Sequence, residues 1–190
     1  MTTHYHTIAF YNLENLFDTF DDKFTFDDDF LPKSAKKWTE KRYRKKVRKL
    51  GYAISNIGFK TTKKHPAIVG LAEVENKLVI DDLLNSKFLE NKLYDYVHYD
   101  SPDERGIDVA MIYDTRVFKV INTEVFPLDL VDENGRRDYT RDILMVEGEL
   151  NNELMYFVVN HWPSRRQGVE ESEPTRLLAS KKALEVISKI

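Results

Sequence analysis

Several polar side chains stand where apolar runs of this chain stop, and together they could handle a phosphate ester. The stretch Ala67–Asn76 (Ala-Ile-Val-Gly-Leu-Ala-Glu-Val-Glu-Asn) follows Pro66 and runs its apolar residues straight into Glu73. A carboxylate in so apolar a setting costs several kcal/mol unless it pairs or holds a cation. Asn12 follows a second apolar run, His6–Tyr11. Arg141 and His161 flank a third region, and Arg105-Gly106 opens a fourth. Arginine suits bidentate phosphate contact, and histidine is the usual proton carrier near neutral pH. Taken singly, each has a plainer role. Glu73 marks a strand end, Asn12 caps a turn, His161 belongs to a Trp162-Pro163 turn, and Arg141 pairs with Asp142 or Glu147 at the surface, where a pair contributes little. Only their arrival at one rim argues for chemistry, and that depends on the elements that position them.

His6–Tyr11 and the Ala67 stretch read as strands, the second a continuous apolar run of the kind that is buried on both faces. Ligands of open α/β sheets bind beyond the carboxyl ends of such strands. From Thr39 to Gly58, Tyr43, Val47, Leu50, Ile54 and Ile57 recur at spacings of four and three, which predicts an amphipathic helix with Thr39 as N-cap and Gly58 as C-cap. Its other face is basic (Lys41, Arg42, Arg44, Lys45, Lys46, Arg48, Lys49), expected as a solvated face offset by the acidic loop Asp18–Asp29. A phosphate-backbone contact is the minority reading of that face. Leu78–Leu84 reads as a helix and Tyr94–Tyr99 as a strand. Ile107–Tyr113 and Val117–Leu128 read as a hairpin through Asp114-Thr115-Arg116, followed by a polar loop, Asp129–Tyr139. Arg141–Leu150 and Glu153–His161 form a second hairpin through Asn151-Asn152, residues suited to positive φ. If Leu150 faces Glu153, Asp142 lies opposite His161 and Arg141 opposite Trp162. Thr175–Ile190 is a closing helix. The order β-α-β-α-β, two hairpins and α predicts an α/β (α+β) domain, a mixed sheet flanked by helices.

The chain has 190 residues, 42% hydrophobic and 32% charged, with room for one domain. A net charge of −3 supplies no global field for nucleic acid, so any such affinity is local or metal-borne. With no cysteine there is neither a disulfide nor a thiolate site. His4 and His6 do not complete a zinc pattern. No signal peptide and no run of membrane-spanning length is visible, so the expected compartment is the cytoplasm, with secretion left open.

Five stretches resemble, in order, the motifs of the endonuclease/exonuclease/phosphatase family. They are Asn12-Leu13-Glu14-Asn15-Leu16-Phe17-Asp18, Leu71-Ala72-Glu73-Val74-Glu75-Asn76, Arg105-Gly106-Ile107-Asp108-Val109-Ala110-Met111-Ile112-Tyr113, Thr140-Arg141-Asp142 and Asn160-His161-Trp162-Pro163-Ser164-Arg165. This is the superfamily of pancreatic DNase I, abasic-site endonucleases, sphingomyelinases and inositol-polyphosphate 5-phosphatases, and the chain is most similar to its bacterial DNase-like branch from about residue 6 onward. The resemblance implies a Mg²⁺-dependent phosphodiesterase, most of all a nuclease, with DNA ahead of RNA as substrate and Mn²⁺ or Ca²⁺ as alternative ions. Glu73 would be the principal metal carboxylate. Asn12 would help hold the hydrated metal and the scissile phosphate, and Glu14 would be an outer or second-metal ligand. Arg141 and Arg105 would contact the phosphate. His161 would hydrogen-bond the phosphate, in its neutral or its protonated form, and Asp108 would orient it. Glu75 stands where some members carry a basic substrate contact. Mg²⁺ takes oxygen ligands, one or two of them carboxylates, and keeps waters, which suits a lone buried glutamate beside an asparagine.

The family's later motifs, Gly-Asp-x-Asn, a further aspartate and Ser-Asp-His, do not occur here. The expectation is therefore residues 1–190 as a single incomplete domain, the N-terminal half of a four-layer α/β sandwich, inactive alone and with an exposed apolar inner face. A non-catalytic phosphate- or nucleic-acid-binding module and a lipid or inositol phosphatase are the alternatives.

Overall fold

The computed structural model describes residues 5–131, 135, 137–165 and 168–190; His4 and part of the 129–139 loop lie outside them. Strand β1 (Ile8–Leu16) leads through an acidic loop to helix α1 (Glu40–Asn56) and a short turn of helix, α2 (Phe59–Thr62). Strand β2 (Ile68–Val74), helix α3 (Lys77–Leu84), and strands β3 (Tyr94–His98) and β4 (Asp108–Asp114) follow. They assemble as a four-stranded sheet in the order β1-β2-β4-β3, parallel between β1 and β2 and antiparallel elsewhere. The mixed sheet with packed helices matches the expectation.

Residues of β2 alternate between two cores, as a pleated strand requires. Val69 and Leu71 join Tyr43, Val47, Leu50 and Ile54 of α1, together with Val79, Ile80 and Leu83 of α3. Ile68 and Ala72 face the other way. Burial on both faces explains the unbroken apolar run. Asn76 caps α3, its Oδ1 accepting from Val79 N at 3.1 Å. Helix α1 ends at Asn56, short of Gly58, which takes φ 71° to start α2.

The first expected hairpin does not form. Strand β5 (Phe118–Phe126) pairs not with β4 but with β8 (Ile143–Leu150), which pairs in turn with β9 (Glu153–Val159) in a second, three-stranded sheet. The reason lies at the turn. Asp114 N donates to Ala67 O and anchors the end of β4 to β2. The Asp114 carboxylate then takes Arg116 N, the Arg116 guanidinium and His65. The chain leaves its sheet there, and Phe118 wedges between Tyr113 and Phe157, edge-on at 5.4 and 5.5 Å between centroids.

The inner face of the four-stranded sheet is consequently covered, where an exposed apolar surface was expected. Ile68, Ala72, Val109 and Met111 pack on Phe118, Leu144, Val146 and Val159 of the second sheet. Gly70 permits the approach: a Cβ there would stand 3.3 Å from Val159. The second expected hairpin is present with Leu150 opposite Glu153 and with Asn151 and Asn152 at φ 51° and 68°. Helix α4 (Val169–Ile187) starts six residues before the expected Thr175 and runs through Pro174, laying Ala183 and Val186 on Phe126, Ile143 and Met145. The stretch expected as a polar loop holds a two-residue ladder, β6 (Leu130–Val131) with β7 (Arg137–Asp138).

The acidic loop is not simply solvated. Asp18 and Asp27 are buried because backbone donors reach them, Phe20 N to Asp18 at 2.7 Å and Asp22 N to Asp27 at 3.1 Å. Among the described residues, no helix is long and apolar enough to cross a membrane.

Candidate active site

The site is built on a pair of facing bulges. Strands β1 and β2 run in register to Asn12 and Ala72, and pairing resumes at Leu16 and Val74. Three residues of β1 thus oppose the single residue Glu73, which is also the extra residue against β4. Glu14, Asn15 and Glu73 adopt left-handed φ of 54°, 60° and 63°. Three non-glycine residues in that region cost about 1–3 kcal/mol each, strain that clusters at functional sites.

The bulges aim one backbone donor and one side chain at a single carboxylate. Asn15 N donates to Glu73 Oε2 at 2.6 Å, and Asn12 Nδ2 donates to Glu73 Oε1 at 3.1 Å. Asn12 Oδ1 accepts from Glu14 N at 2.7 Å. Lys46 of α1 fastens the bulge from behind, donating to Glu14 O and, at 2.9 Å, to Asn15 O. Burial pushes the Lys46 ammonium down to about 8, against the pull of Glu14 and Glu73.

Beyond Glu73 opens a cleft of about 510 Å³, lined also by Asp103, Arg105, Arg141 and His161. His161 Nε2 lies 3.5 Å from Glu73 Oε1, and its Nδ1 is buried with no hydrogen-bond partner among the described residues. Burial, then the neighbouring Arg141 charge, depresses His161 to about 4, so the imidazole is neutral near pH 7. Arg141 is held rather than free: Nη1 meets Asp103 Oδ2 at 2.9 Å, and Nη2 donates to the carbonyls of His161 and Trp162 at 3.4 Å. Its Nε is the donor left without a partner among the described residues. Asp103 Oδ1 also accepts from Arg105 N at 3.1 Å.

The structure therefore gathers Asn12, Glu14, Glu73, Arg105, Arg141 and His161 at one end of the sheets. Asp108 does not join them. Its Oδ2 pairs with His98 Nε2 at 3.0 Å and its Oδ1 accepts from Ser101 N at 2.9 Å, so it does not orient His161. Among the described residues, His98, Asp100 and Asp108 are the set that brings three potential ligand atoms within 4.8 Å of one another. The ligand atoms Glu73 itself offers are carboxylate oxygens, hard donors that suit Mg²⁺ better than a thiophilic ion, while Asn12 presents its Nδ2 there and turns its Oδ1 to Glu14 N. Glu75, two residues on, accepts from Asp18 N at 2.6 Å, and burial raises its carboxyl to about 8.

Sequence reasoning missed Lys46 and Asp103. Lys46 stands three residues after Tyr43 and four before Leu50, at the edge of the apolar stripe, and that spacing was the available signal. Asp103 sits in Ser-Pro-Asp-Glu-Arg, which reads only as a turn; nothing local points to a partner 38 residues away.

A model of the endonuclease/exonuclease/phosphatase family matches residues 7–190. Solved structures share the fold. The endonuclease/exonuclease/phosphatase from Bacteroides vulgatus is 18% identical, with a TM-score of 0.52 over 96% of this chain and 58% of that one. TDP2 from Caenorhabditis elegans is 17% identical, with a TM-score of 0.51 over 80% of this chain and 40% of that one. SmcL is 13% identical, with a TM-score of 0.50 over 75% of this chain and 49% of that one. At these identities the likeness concerns the fold, and the chain spans about half the length of these structures. No curated protein matches the chain.

Proposed function

The chain belongs to the endonuclease/exonuclease/phosphatase family, hydrolases of phosphate esters, and from that premise we propose that it serves Mg²⁺-dependent hydrolysis of phosphodiesters in nucleic acid, DNA before RNA. The observation that carries the proposal is the double bulge, which spends backbone strain to hold Glu73, Asn12 and Asn15 N together at the mouth of a cleft with His161. Such strain persists only where the surrounding structure fixes it.

In this reading Glu73 holds the cation, with Asn12 and Glu14 beside it. When bound, Mg²⁺ supplies charge for the phosphoryl oxygens and lowers the pKa of water. Asn12 orients the Glu73 carboxylate through its amide hydrogens. His161 is neutral in this reading; with its proton on Nε2, the nitrogen 3.5 Å from Glu73 Oε1, it would donate to a phosphate oxygen that enters the cleft beside Glu73. Arg105 is the more exposed cation of the cleft, while Arg141, neutralised by Asp103, offers Nε and chiefly fixes the His161 loop. Lys46 is a positioning residue that holds the bulge and keeps Asn15 N on Glu73.

Because the chain spans about half of its structural relatives, the activity is proposed for the whole protein. The product of the complete reading frame is expected to nick supercoiled plasmid in Mg²⁺, to stop in EDTA, and to lose activity in Glu73→Ala. Nicking that survives both EDTA and Glu73→Ala would remove the proposal, as would the absence of any metal-dependent cleavage.

A further inference from the structure

Next to the cleft lies a second hollow of about 450 Å³, between the loop after β9 and helix α4. Trp162 forms one wall, 45% exposed, with Pro163 and Leu177 beside it and Arg165 and Arg176 around it. Among the described residues, Glu173 is its one lining carboxylate. The other tryptophan of the chain shows what an indole does when it serves the core: Trp38 is 7% exposed, packs on Phe30 and Tyr43, and donates Nε1 to Phe17 O at 3.0 Å. Among the described residues Trp162 does none of this, yet its backbone is fixed. Arg141 Nη2 holds the carbonyls of both His161 and Trp162, and Asp103 holds Arg141. The indole is thus an exposed aromatic plate mounted one residue from the cleft histidine.

The two hollows adjoin at one residue. Pro163 lines both, and the consecutive residues Thr175 and Arg176 of α4 line one each. Arg176 Nη1 is buried and has no hydrogen-bond partner among the described residues. A guanidinium N–H in that state costs free energy until an acceptor arrives.

We propose that Trp162, Arg165 and Arg176 form a nucleotide subsite, in which the indole stacks one base of a single-stranded nucleic acid and the two guanidiniums take the adjoining phosphate. The inference deepens the nuclease reading and rests on it. Every base offers a π-face, so the plate is tolerant of sequence, and arginine forks match phosphate oxygens. A strand whose scissile phosphate lies at Glu73 and His161 would pass over Pro163 and place its neighbouring nucleotide on Trp162.

The test is a binding titration in EDTA, so that no cleavage is needed, following both tryptophan emission and the anisotropy of a labelled oligothymidylate. The oligonucleotide is expected to quench Trp162, whereas inorganic phosphate and anionic phospholipid vesicles are not. Trp162→Ala should weaken binding about 10-fold, in line with ~1–3 kcal/mol per stacked base, and Trp162→Phe should restore most of it. Arg176→Ala should reduce the salt dependence by about one counterion. Trp38 emission and the melting temperature report that each variant is folded. Equal affinity of Trp162→Ala and the parent chain overturns the subsite. Quenching by vesicles but not by the oligonucleotide overturns it in favour of a lipid surface. If plasmid is nicked while Trp162→Ala binds normally, only the subsite fails. If nothing is nicked while Trp162-dependent binding persists, the hydrolytic reading fails and the subsite stands.

Discussion

Two histidine–carboxylate pairs stand near the same ends of β2 and β4, and they differ in one respect. His98 and Asp108 meet at 3.0 Å, both buried, and Ser101 occupies the remaining carboxylate oxygen through its N and Oγ. His161 and Glu73 stand at 3.5 Å, with side chains 19% and 15% exposed and the carboxylate facing a cleft. A closed pair, buried and with both carboxylate oxygens occupied, specifies packing, although His98 Nδ1, like His161 Nδ1, has no hydrogen-bond partner among the described residues. An open one keeps lone pairs for something else, since a carboxylate has about four acceptor positions and Asn12 and Asn15 N fill two of those on Glu73. The looser geometry is the one the proposed chemistry uses, and Asp108, a motif residue by sequence, is bound to His98 and Ser101 and does not line the cleft.

Substitutions on the two sides should separate stability from function. Asp108→Ala leaves His98 buried without its acceptor and is expected to destabilise the fold by about 3–5 kcal/mol, read by chemical denaturation. A loss under about 1 kcal/mol, the range of ordinary surface pairs, would mean that the closed pair is not structural. Glu73→Ala should do the reverse, lowering Mg²⁺-dependent nicking at least about 100-fold, or ~2.7 kcal/mol, while the melting temperature stays within a few degrees. Should that variant unfold instead, the contrast between the pairs collapses. Lys46→Met keeps the apolar stem but removes the clamp on the Glu14 and Asn15 carbonyls, so metal affinity should fall about 10–100-fold, as for other supporting residues of metal sites. Calorimetric titration with Mg²⁺ or Mn²⁺ measures it, and unchanged affinity would assign Lys46 to packing alone.

A pH-dependent effect concerns Glu75, which burial raises from 4.5 to about 8. Between those values the folded chain holds a proton that the unfolded chain has released. The stability contributed by this group is therefore complete below about pH 4.5 and is lost as pH climbs through 8. Glu75→Gln, which keeps the acceptor for Asp18 N, should raise the melting temperature at pH 8 by about 2–4 °C per kcal/mol gained and change little near the lower value. An equal shift at both pH values would trace the effect to packing rather than to charge.

Much of the frame is legible in residue order. The alternation and the Asn-Asn turn set the β8–β9 hairpin in its register, so the sequence alone already brings Arg141 and His161 to one end of it. The spacing of Tyr43, Val47, Leu50 and Ile54 locates α1 and its buried face. The apolar run into Glu73 marks a strand buried on both sides. By contrast, the expected β4–β5 hairpin does not form, because a three-residue turn looks the same in sequence whether the chain returns to its own sheet or crosses to another. Only the anchoring of Asp114 N on Ala67 O and the seat found by Phe118 decide between them.

The sequence by itself determined the elements, the family motifs and the residue types gathered at the rim, because helix and strand periods and turn preferences act over a few neighbouring residues. Tertiary structure alone decided the rest: the paired bulges that turn Glu73 toward Asn15, 58 residues away, the capture of Asp108 by His98, and the neutral state of His161. Those depend on how far each group is withdrawn from water and which partners the topology brings within hydrogen-bond reach, quantities that no local stretch of sequence contains.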